Sequence, residues 1–132
     1  MNISTKGRYS LSVLLDLAEH KDDGFVSLKD ISKRQGISKK YLEQIVALLS
    51  HPDILRTNRG NKGGYMLAKE PDKYTVGQIL RITEGDLSPV SRLEEGCKTL
   101  WLWKGLEKVI NEYLDSITIQ DILSNGANEY SI

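Results

Sequence analysis

Arg59 and Lys62 stand in a glycine-rich run, Arg56-Thr57-Asn58-Arg59-Gly60-Asn61-Lys62-Gly63-Gly64-Tyr65-Met66-Leu67, and their chemistry suits contact with a polyanion. Glycine accepts positive φ angles and close backbone approach, so Gly60, Gly63 and Gly64 suit the tip of a hairpin between two short strands, where the cations project furthest. Taken alone, the run also fits an ordinary solvated turn, in which Gly and Lys are common.

A second set lies upstream at Ser38-Lys39-Lys40-Tyr41-Leu42-Glu43-Gln44. The Gln44 amide fits the adenine edge, and Glu43 can accept from a cytosine amino group or repel other bases. Lys39 and Lys40 suit phosphate, while Tyr41 fits either a phosphate contact or packing between helices. A third set, Ser4, Thr5, Lys6, Arg8 and Tyr9, joins hydroxyls and cations at an expected helix start, where free amides and positive side chains bind phosphate together.

These residues need elements to hold them. Leu11, Leu14, Leu15 and Ala18 recur at helical spacing between Ser4 and His20, with Asp16 and Glu19 on another face. Asp22-Asp23-Gly24 ends that first helix, and Ser27 with Asp30 forms a capping box for a second helix over Leu28 to Gln35. Gly36 permits a sharp turn, Ile37 supplies a buried plug, and Ser38 caps a third helix that runs to Leu49 before Pro52 stops it. Its Leu42, Ile45, Val46 and Leu49 face inward and leave Lys39, Lys40, Glu43 and Gln44 outward. Helix, glycine turn and helix make a helix-turn-helix, and a basic hairpin directly after it makes a winged helix.

The charge distribution agrees with that reading. The 18 basic and 18 acidic residues cancel overall, but residues 1–69 hold 12 Lys/Arg against 7 Asp/Glu, whereas residues 70–132 hold 6 against 11. All three candidate sets therefore lie in the basic half, as phosphate neutralisation requires. No apolar run approaches the roughly 18 residues of a membrane span, and the N-terminus lacks a secretory pattern, so a cytoplasmic location without a membrane partner is expected. The one cysteine, Cys97, excludes an intrachain disulfide and a multi-cysteine metal site within one subunit. It reads as a packing residue or as a redox thiol with Lys98 favouring the thiolate. His20 and His51 fit a helix end and a turn, so no metal site is expected.

Past the wing, Pro71 to Tyr74 connects to a short helix that Thr75 and Gln78 cap and that Gly85 closes after Glu84. Asp86 to Gly96 lacks periodicity and reads as a loop. Trp103, Leu106, Ile110, Tyr113 and Ile117 then recur at three- and four-residue steps, a heptad seam on a long helix starting near Lys98. So short a seam can pack on its own chain or on a second copy, and pairing two DNA readers on a two-fold axis favours the copy. Thr118 with Asp121 caps a last helix through Leu123. The expected fold is mainly α with a small β-hairpin: a winged helix-turn-helix over residues 1–74, an effector loop and dimerisation helix over 75–123, and a flexible tail over 124–132.

Ile3-Ser4-Thr5-Lys6-Gly7-Arg8-Tyr9, Val26-Ser27-Leu28, Ile37-Ser38-Lys39-Lys40-Tyr41-Leu42-Glu43-Gln44 and Arg59-Gly60-x-x-Gly63-Gly64-Tyr65-x-Leu67 resemble, in order and spacing, the iron-sulfur-cluster regulator (IscR-like) family of winged-helix transcription factors. The resemblance spans Ile3 to Leu123. It implies a homodimeric bacterial regulator of double-stranded DNA with its third helix in the major groove and its wing, led by Arg59, in the minor groove. Many members hold an iron-sulfur cluster on three cysteines; with only Cys97 here, such a cofactor is not expected. The subgroup without those cysteines includes the repressor of cysteine metabolism (CymR-like), which works through the enzyme O-acetylserine(thiol)lyase. The C-terminal Ile132 either ends a free tail or offers its side chain and carboxylate to that partner.

Two other functional classes set the comparison. A winged helix can be a protein-interaction module without sequence-specific DNA binding, and a cluster-bearing regulator is a further alternative. An enzyme is not expected, because no nucleophile with a base and orienting group, phosphate loop or metal-ligand spacing is visible.

Overall fold

The computed structural model describes residues 2–60, 63–90 and 95–129, and within them the chain gathers its elements around its first helix. The elements are α1 (Thr5–Glu19), α2 (Leu28–Gln35), α3 (Lys39–Leu48), β1 (Leu55–Asn58), β2 (Gly64–Leu67), α4 (Val76–Glu84), α5 (Leu100–Asp115) and α6 (Ile119–Glu129). This is the winged helix-turn-helix that the periodicity predicts, followed by the long helix.

Helix α1 packs against α2, α3, β2, α4 and α6, so it keeps little free surface. Val13, Leu14, Leu17 and Ala18 are buried, whereas Leu11 and Leu15 are half-buried. Asp16, expected on a polar face, is also buried, because α2 lies over it. Arg34 donates from Nε and Nη2 to its two carboxylate oxygens at 3.0 and 2.7 Å, and Gln35 Nε2 adds a third bond at 2.9 Å. Burial alone would raise the Asp16 carboxyl, but these donors and the guanidinium charge prevail and hold it below the ordinary carboxylate value.

Local chemistry starts and stops the reading helices as expected. The Ser27 hydroxyl accepts from the Asp30 amide at 3.1 Å, and the Ser38 hydroxyl accepts from the Tyr41 amide at 3.1 Å. Between them Gly36 takes the left-handed conformation, φ 68°, that closes α2. Ile37, Leu42, Ile45, Val46 and Leu49 are buried beneath α1.

The hairpin is antiparallel, with Leu55 opposite Leu67 and Asn58 opposite Gly64. Tyr74 holds its base: the buried hydroxyl donates to the Ile54 carbonyl at 2.7 Å and accepts from the Ala68 and Lys69 amides at 3.0 and 3.1 Å. Val26 exchanges two hydrogen bonds of 2.8 Å with Tyr65, tying the segment before α2 to the wing. Gly64 makes this possible, since a Cβ there would lie 2.3 Å from the Val26 carbonyl oxygen.

Helix α5 is fixed to α4 by Arg81, which donates to both carboxylate oxygens of Asp115 at 2.8 Å and to Asn111 Oδ1 at 2.7 Å. The last helix departs from expectation. The Thr118 hydroxyl accepts from the Asp121 amide, and Asp121 Oδ2 accepts from the Thr118 amide, so the predicted cap forms, but α6 continues to Glu129. Residues 124–129, expected as tail, are helical; Ile132 lies outside the described residues.

The buried cluster of the reading unit also contains Ile79 and Ile119, because α4 and α6 pack on α1. The core therefore runs across the expected boundary at residue 74. A second cluster joins Val76, Leu80 and Leu87 to Ile3, Ile110, Leu114, Ile117 and Ile122.

Candidate nucleic-acid interface

The basic and polar residues converge on one side. Lys39, Lys40, Glu43 and Gln44 are all exposed on α3, whose apolar residues take the opposite face. Beside them the hairpin projects Arg59 into solvent, next to Gly60 at φ 120°, a backbone angle that favours glycine. The Gly63 amide donates to the Gly60 carbonyl at 2.9 Å, and a Cβ on Gly63 would come within 2.5 Å of the Asn58 carbonyl oxygen. Both glycines are thus demanded by the narrow tip. Lys62 lies outside the described residues.

A cleft of about 480 Å³ runs between α3 and the wing, lined by Lys39, Glu43 and Arg59 together with Lys29, Thr57 and Asn58. Lys29, Thr57 and Asn58 were not among the candidate site residues of the sequence, although the last two stand in the wing run. Thr57 and Asn58 immediately precede Arg59 on β1, and Lys29 follows the Ser27 cap of α2 by two residues, so adjacency to a wing cation and to a helix start was the available signal. Glu43 is the lone acid among these cations.

The first-helix set divides. Thr5, Lys6, Arg8 and Tyr9 are exposed, and Arg8 donates to the Thr5 hydroxyl at 3.3 Å. Tyr9 meets Tyr41 edge to face, with ring centroids 5.7 Å apart, so α1 is held against the reading helix and Tyr41 is half-buried between helices. Ser4 is engaged elsewhere: its hydroxyl accepts from the Gly7 amide at 3.0 Å and donates to Glu84 at 2.7 Å, while its amide donates to the other Glu84 oxygen. A carboxylate thus stands where the sequence suggested a phosphate.

The heptad seam is also revised. Ile110 and Ile117 turn into the second buried cluster, and Ile117 lies beyond the end of α5, its carbonyl accepting from the Val76 amide at 2.8 Å. Trp103 is half-buried, with its indole N–H on the Thr99 hydroxyl at 3.1 Å. The apolar residues left in solvent are Leu102, Leu106, Val109 and Tyr113, again at heptad steps, with Trp101 beside them; Val109 is 61% and Trp101 75% exposed. Helix α5 carries two adjoining apolar stripes, and the sequence reading drew one seam across both.

Cys97 is exposed, its sulfur 3.2 Å from the Thr99 hydroxyl. Hydrogen bonds from the Thr99 hydroxyl, and then from the Thr99 and Leu100 amides, lower its thiol below the usual value, so it is these groups rather than the expected Lys98 that favour the thiolate. Among the described residues no three His, Cys, Asp or Glu side chains are grouped to hold a metal, and no helix is long and apolar enough to cross a membrane.

A reading helix and a basic wing flanking one open cleft define a winged helix-turn-helix protein of the DNA-binding regulator class. Residues 3–125 match the Rrf2 family, described as iron-dependent transcriptional regulators, and the chain belongs to that family. The transcriptional regulator CymR of Bacillus subtilis is 42% identical over 125 residues, covering 94% of this chain and 91% of the relative. The regulator IscR of Yersinia enterocolitica is 36% identical, covering 95% and 80%. Among solved structures, B. subtilis CymR, the global cysteine regulator, superimposes with a TM-score of 0.83 at 40% identity over 94% of this chain and 97% of that one. The oxidised form of Staphylococcus aureus CymR gives 0.77 at 35% identity, over 92% and 95%. The chain is therefore a transcriptional regulator and not an enzyme. The family description raises iron; the chain has one cysteine, Cys97, which stands exposed and belongs to no metal-holding group among the described residues.

Proposed function

We propose that this protein is a cytoplasmic, homodimeric repressor that binds a palindromic operator and controls genes of cysteine and sulfur metabolism without a cluster. The observation that carries the DNA reading is the shared cleft, which sets the exposed first turns of α3 beside the thin, arginine-tipped wing. With α3 in the major groove, Gln44 and Glu43 meet base edges, while Arg59 enters the neighbouring minor groove, where negative potential concentrates. Lys39, Lys40, Lys6, Arg8, Gly60 and Gly63 would then follow the DNA backbone.

Two copies joined through the exposed stripe of α5 would present two such clefts to two half-sites, which matches the symmetry of a palindrome. The link to sulfur supply rests on the likeness to CymR, whose solved structure is that of a global cysteine regulator. O-acetylserine(thiol)lyase is the protein partner that this reading adds.

Genome-wide identification of bound sites, followed by mobility shifts on those fragments at rising salt, tests the proposal. A repressor keeps discrete palindromic fragments after non-specific binding is lost. Uniform loss of all fragments together would reject specific binding, and sites remote from sulfur-assimilation genes would reject the metabolic assignment.

A further inference from the structure

The first turn of α1 leaves amides free, and its aligned dipoles make that end electropositive. Helices often satisfy such an end with a capping box, in which a Glu three residues after the cap reaches back to the cap amide. Here the third residue after Ser4 is Gly7, which has no side chain. The carboxylate comes instead from α4: Glu84 takes hydrogen bonds from both the amide and the hydroxyl of Ser4. Gly7 leaves room for it, since a Cβ there would lie 3.1 Å from the Thr83 hydroxyl and 3.2 Å from the Glu84 carboxylate. The box is closed from a distant helix.

That carboxylate adjoins the end of α1 that carries Lys6 and Arg8, and α1 is braced against the reading helix through Tyr9 and Tyr41. We propose that Glu84 is an autoinhibitory acid: it holds the α1 cap in place of a DNA phosphate and so keeps affinity for DNA below what the basic surface would otherwise give. The inference rests on the DNA-binding function proposed above. It also joins the binding surface to the rest of the chain, because Glu84 ends α4 and Gly85, at φ 78°, turns the backbone into the following loop. An open cleft of about 590 Å³, lined by Ser4, Lys6, Glu84, Asp86 and Ser88, lies over the contact.

The test compares wild type, Glu84→Gln and Ser4→Ala in the full chain by fluorescence anisotropy on an operator fragment across a salt series, with thermal melting alongside. Gln keeps an acceptor for the Ser4 amide and can donate to the Ser4 hydroxyl with that bond reversed, so the clasp is kept while the charge is lost. Glu84→Gln is expected to bind about two- to fivefold more tightly at low salt, with the gap closing as salt rises, as a screened charge effect requires. Ser4→Ala, which loosens the clasp but keeps the charge, is expected to bind no more tightly than wild type. A purely structural role predicts weaker binding by both variants. Equal or weaker binding by folded Glu84→Gln, or equal gains by both variants, overturns the inference while leaving the DNA-binding function intact; absence of DNA binding by wild type overturns both.

Discussion

Replacing Asp16 by Asn removes the charge at the centre of the contact between α1 and α2 while keeping the side chain's size. Only 1% of the Asp16 side chain is exposed, and it accepts two bonds from Arg34 and one from Gln35. An Asn keeps one oxygen and turns an NH₂ group toward donors, so at least one Arg34 or Gln35 hydrogen is left facing another. Breaking one side of a buried pair commonly costs about 3–5 kcal/mol. Arg34 retains 34% exposure and can turn partly to water, which reduces the expected loss to about 2–3 kcal/mol. For a chain of this length that is a fall in melting temperature of about 6–12 °C. The pH dependence supplies a second check. Since the folded carboxyl lies below its unfolded value of 3.8, the pair's contribution is fully present above that value and is lost as pH falls through the depressed folded one. Thermal melts at matched protein concentration should therefore show a constant gap between wild type and variant from about pH 5 to 8, narrowing below about pH 4. Equal melting temperatures at neutral pH, or a gap undiminished at about pH 3, would refute the reasoning.

Other perturbations address the wing and the long helix. Arg59→Ala should weaken operator binding by more than about 1 kcal/mol in anisotropy at fixed salt, with little change in melting, and unchanged affinity would remove Arg59 from the minor groove. Gly64→Ala forces a methyl group against the Val26 carbonyl and should cost about 2 kcal/mol or more, read by denaturant titration, together with loss of specific binding; a variant as stable as wild type would show that the wing does not need this close approach. Val109→Asp places a charge in the exposed apolar stripe of α5 and should yield monomers in sedimentation equilibrium, whereas an unchanged dimer would place the interface elsewhere.

Much of the fold was legible because its signals are local. Caps at Ser27, Ser38, Thr75 and Thr118, the turn at Gly36 and the apolar spacing of α3 each depend on residues within about one helical turn, and a chain read in order displays them. The order of helix, turn, helix and basic hairpin then determined the class of protein, and the spacing of the wing glycines showed where Arg59 would project. Contacts between distant residues could not be read in this way. Whether Asp16 faces water depends on where α2 comes to lie, and which of two adjoining stripes on α5 meets the core depends on α4 and on the return of the chain through Ile117. The electropositive start of α1 was visible in the sequence, but Glu84, eighty residues away, occupies it only because α4 packs against α1. Periodicity records which faces of a helix are apolar and which ends carry free amides; only the packed structure assigns those faces and ends to partners, because burial and hydrogen bonding are properties of pairs.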